Sequence, residues 1–179
     1  MEIKPSLKTV LKRLRLSGLL ITLPDRLAYA RKTKLEYQDF LELILQDEID
    51  RREQKNLATR LQRACFAEEQ TFEGFDWDAP VTFDRQRVRD LLGLGFLDRH
   101  EDVLFMGPVG VGKTFLASAL GHAACRAGHH ALFLRADQLL KELRQARADH
   151  SHEKALRRFL APDLLIIDEP NPDLSHFLS

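Results

Sequence analysis

Leu7, Val10, Leu11 and Leu14 recur at helical spacing, with Lys8, Lys12, Arg13 and Arg15 on the other faces. The pattern predicts a short amphipathic helix that ends at Ser17-Gly18. Pro24 suits the first turn of a second helix, capped near Thr22 or Leu23 and running to about Lys32. Tyr37, Phe40, Leu41, Ile44, Leu45 and Ile49 then give a third apolar face. A polar run, Asp50–Asn56, interrupts it before Leu57, Leu61, Ala64 and Cys65 resume the stripe, so one long helix or two stacked ones are expected over about residues 36–68. Residues 1–70 thus read as a small all-helical module.

The helical period breaks at Phe72-Glu73-Gly74-Phe75-Asp76-Trp77-Asp78-Ala79-Pro80, an aromatic-rich stretch that suits a domain boundary. Covering the base of a nucleotide is one use for it, and packing a linker onto the next domain is another. Residues 71–100 are read as this connecting segment, with a short helix near Asp84–Leu92 followed by turns at Gly93 and Gly95. From 101 onward, apolar runs alternate with helical patterns. Val103–Met106 and Ala131–Leu134 read as buried strands. Asp137 is expected to cap a helix carrying Leu139, Leu140, Leu143 and Ala146, and another helix is expected over Ala155–Leu160 before Pro162. Leu164–Ile167 is a third strand. This alternation predicts an α/β fold, a parallel sheet with helices on both faces, over residues 101–179.

The connection after the first of these strands carries the chemistry. Gly107-Pro108-Val109-Gly110-Val111-Gly112-Lys113-Thr114 fits G-x-x-x-x-G-K-[ST], the P-loop pattern. Its glycines let backbone N–H groups point into a concavity that suits phosphate oxygens. It feeds a helix beginning with Phe115 and Leu116, whose N-terminus adds free N–H donors and a positive dipole end. In this reading residues 107–115 bind the phosphates of a nucleotide, with Lys113 on the β- and γ-phosphates and the Thr114 hydroxyl on Mg²⁺. The strand ending in Asp168-Glu169 supplies the complement: Asp168 as the second Mg²⁺ residue, and Glu169 to polarise the attacking water. In parallel sheets ligands lie at the carboxyl ends of strands, where both motifs fall.

Charge and cysteine usage add limits. The 27 basic and 27 acidic residues cancel overall. Residues 1–34, however, hold nine Lys/Arg against Glu2 and Asp25, whereas residues 35–50 hold six acids and no base. Lys8, Lys12, Arg13, Arg15, Arg26, Arg31, Lys32 and Lys34 can bind a DNA backbone without reading its sequence, or form an ordinary solvated face. Cys65 and Cys125 lack metal or disulfide spacing, in keeping with a reduced cytoplasmic protein. No apolar run approaches the ~20 residues that span a bilayer. Pro24, Asp25 and Arg26 argue against a signal peptide over Leu16–Leu23. His129-His130 and His150-x-His152 have no partner at ligand spacing.

Taken together, these motifs resemble IstB-like helper ATPases of bacterial insertion sequences, AAA+ proteins similar to the DnaC-type helicase loaders. The resemblance runs from about Leu7 to Glu169. It is carried by Leu11–Gly18, Phe75-Asp76, Phe96–Arg99, Gly107–Thr114, Ala123–Gly128 and Pro162–Asp168. It implies ATP-dependent homo-oligomerisation on DNA, assistance to a transposase, and contact of the helical module with DNA or a partner. A helicase loader and a catalytically dead DNA- or partner-binding module are the alternatives. Two departures stand out: Glu169 replaces the commoner Asp, and only ten residues follow it. The resemblance implies a strand between the P-loop strand and the Asp168 strand that those ten residues, two of them Pro, are poorly suited to supply. The expectation is therefore a C-terminally truncated nucleotide-site half, with the P-loop strand unpaired on both edges and ATP turnover left open.

Overall fold

A computed structural model of the chain describes residues 3–77 and 83–169. They form two compact units that divide between Asn56 and Leu57. The first unit is helical. Helix α1 spans Pro5–Arg13, opening on a proline whose missing N–H costs nothing at a first turn. It stops earlier than Ser17-Gly18: Arg15 takes a left-handed conformation (φ 57°), and the Leu16 N–H donates to the Leu11 carbonyl at 2.8 Å. Helix α2, Leu19–Thr33, does not open at Pro24 but carries it inside. Leu19 and Leu23, one turn apart, are buried with Ile3 and Leu11, and Leu16, Leu27, Phe40 and Ile44 pack around them. This core contact draws the chain into helix five residues before the proline, overriding its local preference.

Helix α3, Tyr37–Ala64, is a single continuous helix. Within the first unit its buried group is Glu48, only 3% exposed. Arg51 grips the Glu48 carboxylate through two hydrogen bonds of 2.8 and 2.7 Å, and Arg52 adds a third at 2.8 Å. Arg52 also donates to the Arg15 carbonyl at 2.7 Å, joining the α1–α2 turn to α3. These guanidinium contacts hold the Glu48 carboxyl down to about 2, although burial pulls the other way. Gly18 lies against this pair, where a Cβ would collide with the Arg51 guanidinium and the Glu48 carboxylate. Arg26 is similarly tied by two hydrogen bonds to Asp47, at 2.8 and 2.7 Å.

The second unit begins with the last turns of α3. Leu57, Leu61 and Ala64 pack with Cys125 and Ala131, and Cys65 (φ 60°) ends the helix. A 3₁₀ turn follows at Phe72–Gly74. Helix α4, Arg85–Leu92, is capped by Asp84, whose carboxylate accepts from the Gln86 and Arg87 N–H groups. The short α5, Gly95–Asp98, replaces the simple turns expected at Gly93 and Gly95. Then come α6 (Lys113–Arg126), β1 (Ala131–Arg135), α7 (Ala136–Ala148), α8 (His152–Leu160) and β2 (Leu164–Asp168). Asp137 does not cap α7. It sits in the first turn, paired with Arg135 at 3.1 Å. Helix α8 begins at His152, three residues before Ala155.

Strands β1 and β2 pair in parallel, Ala131 with Leu164 through Arg135 with Asp168. Alternate side chains leave opposite faces of a strand. Ala131 and Leu164 face the α3 end and α6, whereas Leu132, Leu134 and Leu165 pack with Leu139, Leu143 and Phe159 of α7 and α8. Helices therefore cover both faces of the pair. Gly121 in α6 allows the closest approach: a Cβ there would lie 2.6 Å from the Phe66 ring and 2.7 Å from Ile166 Cδ1. The expected third strand is not formed. Val103–Met106 pairs with no strand among the described residues, and Leu104 and Met106 are 79% and 82% exposed. An extended segment becomes a strand only by hydrogen-bonding to a neighbour, and among the described residues neither edge has one. The expectation for residues 170–179 lies outside the described residues.

Candidate phosphate-loop site

The loop from Gly107 to Gly112 joins this unpaired segment to α6. Gly110 and Gly112 adopt φ of 84° and 88°, and a Cβ at either would meet no heavy atom within 4 Å, so conformation rather than space demands glycine there. Gly112 is the residue before α6, and Lys113 and Thr114 are its first two helical positions. The N–H groups of Lys113, Thr114 and Phe115 have no acceptor among the described residues, as at any helix start left for an anion. Lys113 Nζ folds back onto the loop, donating to the Gly107 carbonyl at 2.9 Å and the Pro108 carbonyl at 2.6 Å. Pro108 and Val109 are exposed, and Val111 is half-buried.

Thr114 Oγ1 donates to Asp168 Oδ1 at 2.9 Å. Helix α6 packs on both strands, and the parallel register puts Asp168 at the carboxyl end of β2 beside the α6 N-terminus. A hydroxyl and a carboxylate oxygen converging in this way form a hard-oxygen pair that can hold Mg²⁺. Glu169 is exposed, with no hydrogen bond among the described residues, so nothing fixes it against the loop. A cleft of about 760 Å³ opens on the other side, between α4 and the 103–108 segment, with Arg87, Phe96, Met106, Pro108 and Lys113 on its walls. Its size is that of a small-molecule site.

The aromatic segment meets the site from outside. Phe75 packs on Phe115, Trp77 and Phe83, with ring centroids 5.6, 4.9 and 5.7 Å away. Glu73 pairs with Arg126 at 2.8 Å. Packing of the linker onto the α6 domain is thus the observed use of residues 72–77. Asp78, Ala79 and Pro80 lie outside the described residues. The density of Phe and Trp marked this segment in the sequence; its two other partners, Phe83 and Phe115, carried no such signal. Nothing in the sequence pointed to the Glu48 cluster, which joins α3 to a backbone carbonyl in the α1–α2 turn.

Among the described residues no cluster of His, Cys, Asp or Glu has metal-site geometry, and no helix is long and apolar enough to cross a membrane.

A glycine loop opening a helix, whose first hydroxyl meets the acid ending a parallel strand, defines the class: an α/β protein of the phosphate-loop type. Residues 9–172 match the model of the IstB-like ATP-binding protein family, and the chain belongs to that family. It is 42% identical over 165 residues to a protein of Mycobacterium tuberculosis named as an ATP-binding protein in an insertion sequence, covering 92% of this chain and 66% of that protein. It is 39% identical over 163 residues to the IS21 ATP-binding protein of Pseudomonas aeruginosa, covering 91% and 62%. A counterpart from the insertion sequence IS5376 of Geobacillus stearothermophilus is 36% identical over 155 residues, covering 84% and 62%. The chain thus spans just under two thirds of the length of these relatives.

Proposed function

We propose that this chain is an ATP-binding helper of DNA transposition, built on an AAA+ type of phosphate-loop domain. In this reading residues 1–70 bind DNA or a partner, residues 71–100 connect, and residues 101–179 bind ATP–Mg²⁺. The 2.9 Å bond between Thr114 and Asp168 carries the proposal, because it joins two motifs 54 residues apart at one point beside the loop. Mg²⁺, when bound, neutralises phosphate charge; Thr114 and Asp168 hold it there, and Lys113 leaves the Gly107 and Pro108 carbonyls to meet the phosphates. The helix N–H groups of residues 113–115 hold the remaining oxygens. The 760 Å³ cleft offers room for the rest of the nucleotide. Hydrolysis further requires Glu169 to orient a water, and its lack of fixing contacts confines the proposal to binding.

For DNA, Lys8, Lys12, Arg13, Arg15, Arg31, Lys32 and Lys34 are exposed, with no ion pair among the described residues. Arg26 is removed from that set by its bidentate pair with Asp47. Assistance to the transposase of the same insertion sequence, and ATP-dependent self-assembly on DNA, are what the resemblance to IstB-like helper ATPases implies and rest on no contact in this chain. The test is titration of a fluorescent ATP analogue with and without Mg²⁺, then co-precipitation with the transposase in the presence of DNA. Saturable binding that Lys113→Ala weakens by about tenfold or more supports the reading, and no binding by the native chain defeats it.

A further inference from the structure

Helix α3 carries a second apolar face that the core of the N-terminal unit does not use. Phe40 and Ile44 turn inward and pack on the α1–α2 core. Tyr37, Leu41, Leu45 and Ile49 repeat at every fourth position and form a separate stripe, 91% exposed at Tyr37 and 53, 47 and 47% at the other three. Helix α1 repeats the arrangement on a smaller scale. Its Leu11 is buried, whereas Leu7, Val10 and Leu14 lie on an adjacent face and stay exposed. One apolar stripe suffices to dock a helix on its own core, and contiguous apolar positions left in water mark an interaction surface.

The charges beside the two stripes are opposite in sign. Residues three or four positions apart are neighbours on a helix surface. Glu42 and Glu53 stand at those steps from Leu45 and Ile49, and Lys4 and Arg13 at those steps from Leu7 and Val10. All four are exposed, and none has an ion pair among the described residues. Arg52, a cation beside the α3 stripe, is committed to Glu48 and the Arg15 carbonyl. Two α3 stripes face to face would set Glu against Glu, and two α1 stripes would set cation against cation. Only α1 against α3 matches apolar surface and charge together.

We propose that the N-terminal unit is an interface for a second copy of this chain, the α1 stripe of one copy seated on the α3 stripe of the next. Both complementary surfaces belong to one polypeptide, which makes a copy of that polypeptide the fitting partner. At about 1.5 Å per residue the α3 stripe runs roughly 18 Å and the α1 stripe roughly 10 Å, so the shorter lies along the longer. Lys8 and Lys12, on the opposite side of α1, stay outside the contact. The contact needs neither nucleotide nor DNA, which separates it from the ATP-dependent assembly of the proposed function. Each copy carries both surfaces, so association continues from copy to copy unless symmetry closes it.

The test is sedimentation velocity of the full chain, without nucleotide or DNA, over a concentration series reaching roughly 100 μM. The native chain is expected to associate as concentration rises. Leu41→Gln with Leu45→Gln, at half-exposed positions, is expected to weaken association by about tenfold or more. Glu42→Lys with Glu53→Lys, and Lys4→Glu with Arg13→Glu, should each weaken it when measured alone. An equal mixture of these two charge-reversed variants should restore it, because the reversed α3 of one then meets the reversed α1 of the other. Circular dichroism checks that each variant keeps its fold. A native chain that stays monomeric across the series overturns the proposal. So does a glutamine variant that associates like the native chain, or a mixture that associates no better than either charge-reversed variant alone.

Discussion

Thr114 Oγ1 and Asp168 Oδ1 stand 2.9 Å apart, the first at the start of α6 and the second at the end of β2. If both are Mg²⁺ residues, Asp168→Asn removes a charge from the cation but leaves a hydrogen-bond acceptor for Thr114, so the fold is spared. The expected outcome is a loss of Mg²⁺-dependent ATP affinity of about tenfold or more, with Mg²⁺-free binding little changed. Isothermal titration with and without EDTA distinguishes the two. Equal loss in both conditions would assign Asp168 a structural role instead.

Lys113 makes a different prediction, because its ammonium is already satisfied by the Gly107 and Pro108 carbonyls. Lys113→Ala frees two exposed carbonyls that water can reach, so stability is expected to change little. Nucleotide affinity should fall by about 1.5–3 kcal/mol, the worth of a charge-assisted hydrogen bond. A thermal melt and a nucleotide titration on the same sample check both halves, and a large drop in melting temperature would show that the loop depends on its lysine for folding.

The loop, the short helix α4, and the β1 and β2 strands were legible in the sequence because each is decided by a few adjacent residues. Glycine at positive φ and a short apolar run bounded by turn residues are local signals. The failures were of another kind. Val103–Met106 has the composition of a strand, but a strand is a relation between two segments and its partner is not among the described residues. Helix α2 begins at Leu19 because Leu19 and Leu23 meet Ile3 and Leu11, contacts that no local reading of Pro24 contains. Gly18, read as a helix stop, instead makes room for Arg51 and Glu48, some thirty positions along the chain.

The Glu48 cluster gives the N-terminal unit a pH dependence. Its carboxyl is held at about 2, below the ordinary 4.5, by the Arg51 and Arg52 hydrogen bonds. A carboxyl whose pKa is lowered by folding stabilises the native state above the unfolded value, and that contribution is lost as pH falls through the folded one. Stability due to Glu48 is therefore complete above about pH 5 and disappears between there and about pH 2. Glu48→Gln is expected to cost about 1–3 kcal/mol at neutral pH by leaving two guanidiniums without their carboxylate. Urea melts at pH 7 and pH 3 should show the native and variant curves converging in acid. A difference that stays constant with pH would mean that shape, not charge, is the role of Glu48.

Gly121→Ala adds one methyl where Phe66 and Ile166 already press on the α6 backbone. Helix propensity favours the change by about 1 kcal/mol. Overpacking between α6, β2 and the Phe66 ring opposes it by about 1–3 kcal/mol. Packing should win, giving net destabilisation of the second unit, because one neighbour is a ring stacked on His122 and the other comes from a paired strand. Chemical denaturation of the variant checks the sign, and a stabilised Gly121→Ala would show that Phe66 has room to withdraw.

His122 lies in the same contact, 5% exposed, with its ring stacked on Phe66 at a 4.3 Å centroid distance and its Nε2 without a partner among the described residues. Burial pushes its pKa below the ordinary 6.5, outweighing a hydrogen bond to the Glu68 backbone and the Glu69 charge; Arg126 reinforces the depression. The unfolded chain therefore binds a proton near pH 6.5 that the folded chain resists, so stability falls as pH drops below that value and is unaffected well above it. His122→Phe keeps the stack and removes both the titration and the orphaned nitrogen. It is expected to match or exceed the native stability at pH 8 and to gain further on the native chain at pH 5.5, because other titrating groups cancel in the comparison. Urea midpoints at the two pH values decide the matter: a native-minus-variant difference that does not change between them would show that His122 accepts its proton in place, with the Phe66 contact intact.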